Sequence, residues 1–227
     1  MNEVYVVKLE TSIQEERLLE FVSLVRRKEI QQFSLQAERI RKLVGQLLLQ
    51  FILQNKKGIF LSPLHFIRND WGKPCIWGLE GIHFNISHSQ DYVVCGISSL
   101  PIGIDVELIR EINTNISNRF FSIEEVEYIN MKNGAERLER FFQIWTRKES
   151  YVKAVGKGLM IPFNHFSVAP MRGSQICDPN GFTYYIKDYH LEEKYKLSVC
   201  SQSCEFSNDV KFITIKEIME GLQIKIS

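Results

Sequence analysis

Long hydrophobic runs are missing from this chain. No apolar stretch approaches the ~18 residues that a membrane-spanning helix requires, so no membrane partner is expected. Charge of one sign is missing too. The 28 Lys and Arg stand against 27 Asp and Glu, a net charge of +1 that gives no overall pull toward nucleic acid or an anionic surface. Cysteine is sparse and scattered: Cys75, Cys95, Cys177, Cys200 and Cys204 are odd in number, which argues against a disulfide framework and suits a reducing cytoplasm. Cys200 and Cys204 lie close together but lack the second pair or nearby histidine that would complete a structural zinc site. The HExxH helix, the GxxxxGK(S/T) phosphate loop and the GxSxG elbow are all absent, which lowers the common hydrolase and nucleoside-triphosphatase readings. Met1-Asn2-Glu3 does not open a secretory signal, and a soluble cytoplasmic protein is the expectation.

What is present is enough for a core. With 44% apolar and 11% aromatic residues in 227, the chain reads as one large domain or two small ones and not as a disordered segment. Val4-Tyr5-Val6-Val7-Lys8-Leu9 predicts a first strand. Leu18, Leu19, Val22 and Val25 recur at helical spacing within 14–29, and a longer apolar stripe from Ile40 to Ile52 predicts a helix over 36–54. Strand patterns follow at 82–87, 92–98 and 102–108, after turn chemistry at Trp71-Gly72-Lys73-Pro74. Ser122 with Glu125 forms a capping-box pattern before a helix over 122–131, and a helix over 135–155 should stop at Gly156. Residues 165–215 alternate as strands, with a short closing helix near 215–222. No internal repeat stands out; Tyr92-Val-Val-Cys95 and Tyr195-Lys-Leu-Ser-Val-Cys200 are only faintly alike. The best seam is Leu100-Pro101-Ile102, which divides the chain into 1–102 and 103–227.

Three segments could carry chemistry. On a strand through Ile102-Gly-Ile-Asp-Val-Glu-Leu108, Asp105 and Glu107 share a face, about 7 Å apart at ~3.3 Å rise per residue. Two such carboxylates suit Mg²⁺, although a solvated strand face explains them equally well. On the helix that follows, Glu149 lies near the centre of an arc of about 100° shared with Leu138, Phe141, Phe142, Trp145 and Val152. A carboxylate in an apolar stripe needs a metal or a cationic partner, and Lys148, Lys153 or a distant arginine are the alternatives to a metal. Ser87, His88 and Ser89 offer donors to an anionic oxygen, with Lys73, Lys153 and Lys157 as sources of positive charge. Arg26, Arg27, Lys28, Arg39, Arg41 and Lys42 form either two solvated helix faces or a margin for phosphate. Acids for a cation and donors for a polyphosphate together suggest phosphoryl-type transfer.

Taken in order, Trp71-Gly-Lys-Pro74, His83-Phe-Asn-Ile-Ser-His-Ser89, Pro101-Ile-Gly-Ile-Asp-Val-Glu107, Arg119-Phe-Phe-Ser122 with Glu125, and Trp145-Thr-Arg-Lys-Glu-Ser150 through Gly156-Lys-Gly-Leu159 to Pro162 resemble the 4′-phosphopantetheinyl transferases of the larger, Sfp-type class. The resemblance implies an α+β fold of two similar α/β halves in a pseudo-two-fold arrangement, acting as a monomer with coenzyme A in the cleft between them. It implies transfer of phosphopantetheine from coenzyme A to a serine of an apo acyl or peptidyl carrier protein, with release of 3′,5′-ADP. By the same match Asp105, Glu107 and Glu149 would hold Mg²⁺, and Glu149 or a water it orients would act as base. Ser87, His88, Lys73 and Lys153 would meet phosphate oxygens, Arg41 the nucleotide, and Arg26 and Lys28 the 3′-phosphate. The segment 110–125 would meet the carrier through Ile112, Ile116, Phe120 and Phe121, unless these are ordinary core and loop residues. A Mg²⁺-dependent phosphohydrolase acting on a coenzyme-A-like pyrophosphate and a non-catalytic carrier-binding protein are the competing readings.

Overall fold

The structure is a computed structural model that describes residues 1–10, 13–61, 64–178 and 180–223. The β-branched opening forms β1 (Glu3–Lys8), whose side chains alternate between two cores: Tyr5 and Val7 face one, Val4 and Val6 the other. The helical pattern expected over 14–29 is in fact two helices, α1 (Glu15–Leu19) and α2 (Leu24–Gln31). The break has a local cause. Ser23 is extended, and its hydroxyl accepts the Arg26 N–H to cap α2. Val25 is thereby turned outward, 69% exposed, and Ile30 takes the inward position.

Next come α3 (Gln36–Phe51), which runs on through a wider turn at Ile52–Lys56, and a small hairpin of β2 (Phe66–Arg68) and β3 (Pro74–Ile76). The sequence showed only the turn of that hairpin. The chain continues through β4 (His83–Ser89), β5 (Tyr92–Ser98), β6 (Ile102–Leu108), α4 (Ser117–Phe120), α5 (Ile123–Asn130) and α6 (Gly134–Val155). It closes with β7 (Gln175–Cys177), β8 (Thr183–Tyr189), β9 (Tyr195–Ser201), β10 (Lys211–Phe212) and α7 (Ile215–Gln223). The capping box of Ser122 and Glu125 is complete, and α6 ends at Gly156 in the left-handed conformation, φ 76°.

The strands make two four-stranded sheets, in the orders β10-β1-β5-β4 and β6-β9-β8-β7. One connection is used twice. A strand (β1 or β6) leads to a long helix (α3 or α6) and then to a hairpin (β4-β5 or β8-β9), whose second strand inserts beside the first. The sheets pack face to face through Val4, Val6, Val94, Ile104, Val106, Leu197 and Val199. On the outer faces, α3 buries Leu43, Val44, Leu47 and Leu48, and α6 buries Phe142, Ile144, Tyr151 and Ala154. Each fully buried side chain of this size contributes roughly 1.5–3 kcal/mol, so the layers hold together without a disulfide. The chain crosses the seam at 102 once more near its end: β10 pairs in parallel with β1, and Ile213, Ile218 and Leu222 join the first half's core. No described helix is long and apolar enough to cross a membrane.

Candidate active site

Gly103 fixes how closely α6 approaches β6. A Cβ built there would lie 2.0 Å from the Ser150 carbonyl oxygen and 2.3 Å from the Ala154 nitrogen, so helix backbone rests directly on strand backbone. Asp105 and Glu107 follow at the next two positions on the same face of β6. Glu149 and Lys153 sit one turn apart on α6 and meet them there.

The Lys153 ammonium donates to Asp105 Oδ1 at 2.6 Å, to Ser87 Oγ at 3.2 Å and to the Ile104 carbonyl at 3.3 Å. Ser87 Oγ donates to the same Asp105 oxygen at 3.0 Å, and Ser89 Oγ donates to Glu107 Oε2 at 3.1 Å. Asn85, Ser87 and Ser89 alternate along β4, and together they lace that edge strand to β6: Asn85 Oδ1 accepts the Ile104 N–H and Ser89 Oγ accepts the Leu108 N–H. Asp105 and Glu107 are therefore oriented from the other half of the molecule. Ser89, singled out in the sequence only as part of a donor group, is the partner of Glu107; strand alternation from Asn85 was the signal that could have found it.

Electrostatics converge on Asp105, which is only 4% exposed. Burial pushes its carboxyl up, against the pull of Lys153 and Ser87. Burial and then the Asp105 charge also raise Glu107 and Glu149, with Lys153 opposing both. Among the described residues, no three His, Cys, Asp or Glu side chains already stand close enough to share a metal ion. Two observations nevertheless fit a hard divalent cation: the buried Asp105 Oδ2 has no hydrogen-bond partner, and the Lys153 ammonium offsets an Asp105 charge that repels both Glu107 and Glu149. Lys148, one of the candidate partners for Glu149, goes elsewhere: it pairs with Glu125 at 2.8 Å, both side chains 0% exposed, and donates to the Phe163 and Phe166 carbonyls. Among the described residues Glu149 makes no hydrogen bond or ion pair, although it feels the charges of Asp105 and Lys153.

A second, basic cluster adjoins the first. His88 points to the opposite face of β4 from Ser87, where its Nε2 lies 3.7 Å from Glu38 Oε1. Arg41 and Lys42, one turn along α3, hold the same Glu38 at 3.1 Å and 3.2 Å. Burial pushes His88 below its usual value, and Lys42, Arg41 and Lys153 add to the shift against Glu38. Glu38 has no role in the sequence reading; its spacing from Arg41 and Lys42 was the available signal. Arg26 donates to Gln46 Oε1 and Glu29 Oε2, both at 2.8 Å, while Lys28 is exposed on α2. Lys73 reaches neither acid nor histidine. Its ammonium donates to the Ile102 carbonyl at 3.0 Å and the Ala154 carbonyl at 3.3 Å, and burial lowers it to about 8.

Beside Glu107 and Trp145 lies a groove of about 760 Å³, lined by Arg110, Ile112, Ile116, Arg119 and Phe120. Ile116 and Phe120 are 46% and 40% exposed. Phe121 belongs to the core instead, at 4%, stacked on Phe141.

The chain matches two family descriptions in sequence. Residues 11–99 match "4′-phosphopantetheinyl transferase, N-terminal", and residues 101–200 match "4′-phosphopantetheinyl transferase superfamily". It is 34% identical over 207 residues to the 4′-phosphopantetheinyl transferase Sfp of Bacillus subtilis (strain 168), across 90% of this chain and 92% of that one. It is 32% identical over 219 residues to another Bacillus subtilis 4′-phosphopantetheinyl transferase, across 95% and 98%. Against the 4′-phosphopantetheinyl transferase gsp of Aneurinibacillus migulanus it is 38% identical over 170 residues, 74% of this chain and 71% of that one. The acids on β6 and α6, the laced edge of β4 and the agreement along nearly the whole length make this chain a member of the 4′-phosphopantetheinyl transferase family, of the Sfp type.

Proposed function

We propose that the protein moves the 4′-phosphopantetheine group of coenzyme A, in a Mg²⁺-dependent reaction, onto a serine hydroxyl of an apo acyl or peptidyl carrier protein and releases 3′,5′-ADP. The observation that carries the reading is the Asp105 carboxylate, one oxygen held by Lys153 and Ser87 and the other buried without a partner beside Glu107 and Glu149. Asp105, Glu107 and Glu149 are the residues that would hold Mg²⁺. Bound there, the ion supplies charge neutralisation for a diphosphate and its leaving group.

The chain's own residues do the rest. Glu149, whose carboxyl burial and then the Asp105 charge push up, would take the serine proton on its carboxylate, directly or through a water it orients. The serine oxygen bonds to the phosphorus that carries pantetheine, the bond from that phosphorus to the bridging oxygen breaks, and the electron pair leaves with 3′,5′-ADP. Lys153 stabilises the charge that builds on the phosphoryl oxygens beside Ser87, and His88, on the opposite face of β4 with Arg41, would donate to the diphosphate from the α3 side. Lys73 keeps a positive charge between β6 and the end of α6, where a diphosphate can draw the ammonium off the two carbonyls. Arg41 faces the nucleotide, and Arg26 with Lys28 the 3′-phosphate, where guanidinium and ammonium groups pair strongly with phosphate. The groove at Ile112, Ile116 and Phe120 takes the carrier beside Glu107. The working unit is a cytoplasmic monomer divided into 1–102 and 103–227, a division supported by the two family matches, which meet at 99 and 101.

Incubation with coenzyme A, Mg²⁺ and a panel of apo carriers tests this. A carrier that is accepted gains the mass of one phosphopantetheine. No gain across the panel rejects the reading, and release of phosphopantetheine without any carrier favours a phosphohydrolase.

A further inference from the structure

We infer that the Arg147–Asp188 ion pair is a positioning unit for Glu149: it fixes where α6 lies over β6 and β9, and with it the placement of Glu149 against Asp105. The inference rests on the transferase reading and adds to it residues that no substrate touches.

The pair is multiply bonded, with Arg147 buried and Asp188 half-buried. Arg147, 9% exposed, donates Nε to both oxygens of Asp188 at 3.0 Å and 2.9 Å, a terminal nitrogen to Oδ2 at 2.7 Å, and its other terminal nitrogen to the Val168 carbonyl at 3.0 Å. Asp188, on β8, gathers two further donors: Gln143 Nε2 from α6 at 2.8 Å and Ser198 Oγ from β9 at 2.9 Å. Ser198 Oγ also lies 2.9 Å from Thr146 Oγ1. One carboxylate thus ties Gln143, Thr146 and Arg147 of the helix to two strands of the sheet.

Ser198 is the ladder partner of Asp105 in the pairing of β9 with β6, so the anchor stands beside the strand position that carries the central acid. Glu149 comes two residues after Arg147 and has no bond of its own to hold it among the described residues. Its place is set by the helix. Apolar burial beneath α6 is non-directional and tolerates sliding, whereas a bidentate charged pair with fixed donor angles does not. A displacement of about 1 Å in a reacting group costs up to about a hundredfold in rate.

The test compares wild type with Asp188→Asn, Ser198→Ala and Arg147→Lys, on an apo carrier that wild type modifies. It reads kcat and KM for coenzyme A separately, together with coenzyme A affinity by calorimetry and thermal melting. Asp188→Asn should lower kcat about tenfold and leave KM and calorimetric affinity for coenzyme A within about twofold. Arg147→Lys, which keeps the charge but not the two-pronged geometry, should lower kcat less than Asp188→Asn does. Ser198→Ala removes one hydroxyl and keeps the ion pair, so it decides the matter if Asp188→Asn does not fold; it should lower kcat about threefold with little change in melting. An unchanged kcat in the folded variants, with only the melting temperature lowered or only KM raised, overturns the inference and leaves the transferase reading intact. Absence of transfer by wild type on every carrier overturns that reading itself.

Discussion

In the first half, α3 lies on its sheet through Leu43, Val44, Leu47 and Leu48; in the second, α6 lies on its sheet through a surface that includes Thr146, Arg147, Glu149, Ser150 and Lys153. The topology of the two halves is the same; α3 brings ionisable groups to its sheet at its N-terminal end, where Glu38 lies by His88, whereas α6 brings Arg147 and Lys153 to its sheet beside Asp188 and Asp105. Glycine permits close approach in both, from opposite sides. In the first half it is Gly45 of the helix, whose added Cβ would meet the Ile86 and Val93 side chains at 2.9 Å and 3.5 Å; in the second it is Gly103 of the strand, facing helix backbone. A shared frame thus supports a largely apolar helix–sheet contact in one half and a contact rich in buried polar groups in the other.

The largest effect should come from the polar side. Asp105→Ala should lower transfer at least about a hundredfold, the scale of losing a main electrostatic stabiliser, as read from the rate of carrier mass gain. Next are the ion pairs. Glu125→Ala leaves the fully buried Lys148 charge without its partner and should cost about 3–5 kcal/mol in denaturant unfolding. Glu15→Ala in the first half breaks a pair with the more exposed Arg39 and should cost about 1 kcal/mol. Equal costs would erase the contrast between the halves.

The glycines give a smaller, sharper comparison. Gly103→Ala forces backbone apart and should cost the upper part of ~1–3 kcal/mol. Gly45→Ala meets side chains that can move and gains ~1 kcal/mol of helix propensity, so it should be close to neutral. A further comparison lies in acid. Burial works against it, but Lys211, Lys57 and Tyr5 hold Glu3 in the first half down to about 2 from 4.5. A depressed carboxyl stabilises the fold above its unfolded value, so the stability gap between wild type and Glu3→Gln should close as pH falls from about 4.5 to about 2. Asp105 is raised instead and has the opposite sign: its ionisation disfavours the metal-free fold as pH rises, so Asp105→Asn should gain on wild type toward neutral pH. Melting curves from about pH 2 up to neutral check both.

Much of this was legible in the sequence where the cause is local. The capping box at Ser122, the stop at Gly156 and the strands over 102–108 follow from neighbours within a turn or from strict alternation. The faint likeness of the segments beginning at Tyr92 and Tyr195 had a structural basis. β5 and β9 are the inserted middle strands of their sheets, and the two tyrosine rings meet edge to face at 4.8 Å. Features that depend on distant partners were not legible. The interruption at Ser23 needed a choice between two apolar helix faces that only Ile30's burial decides. The return of β10 to pair with β1, the engagement of Arg147 with Asp188 and the diversion of Lys148 to Glu125 join residues 41 to more than 200 positions apart or lie inside the core, with no periodic signal.

If Asp105, Glu107 and Glu149 hold one cation beside bound coenzyme A, calorimetric titration of coenzyme A into wild type and Asp105→Asn, each with Mg²⁺ and with a chelator, will show it. Wild type should bind coenzyme A more tightly with Mg²⁺ than with chelator, and the variant should bind equally in both. A metal effect of the same size in the two proteins, or none in wild type, would contradict it.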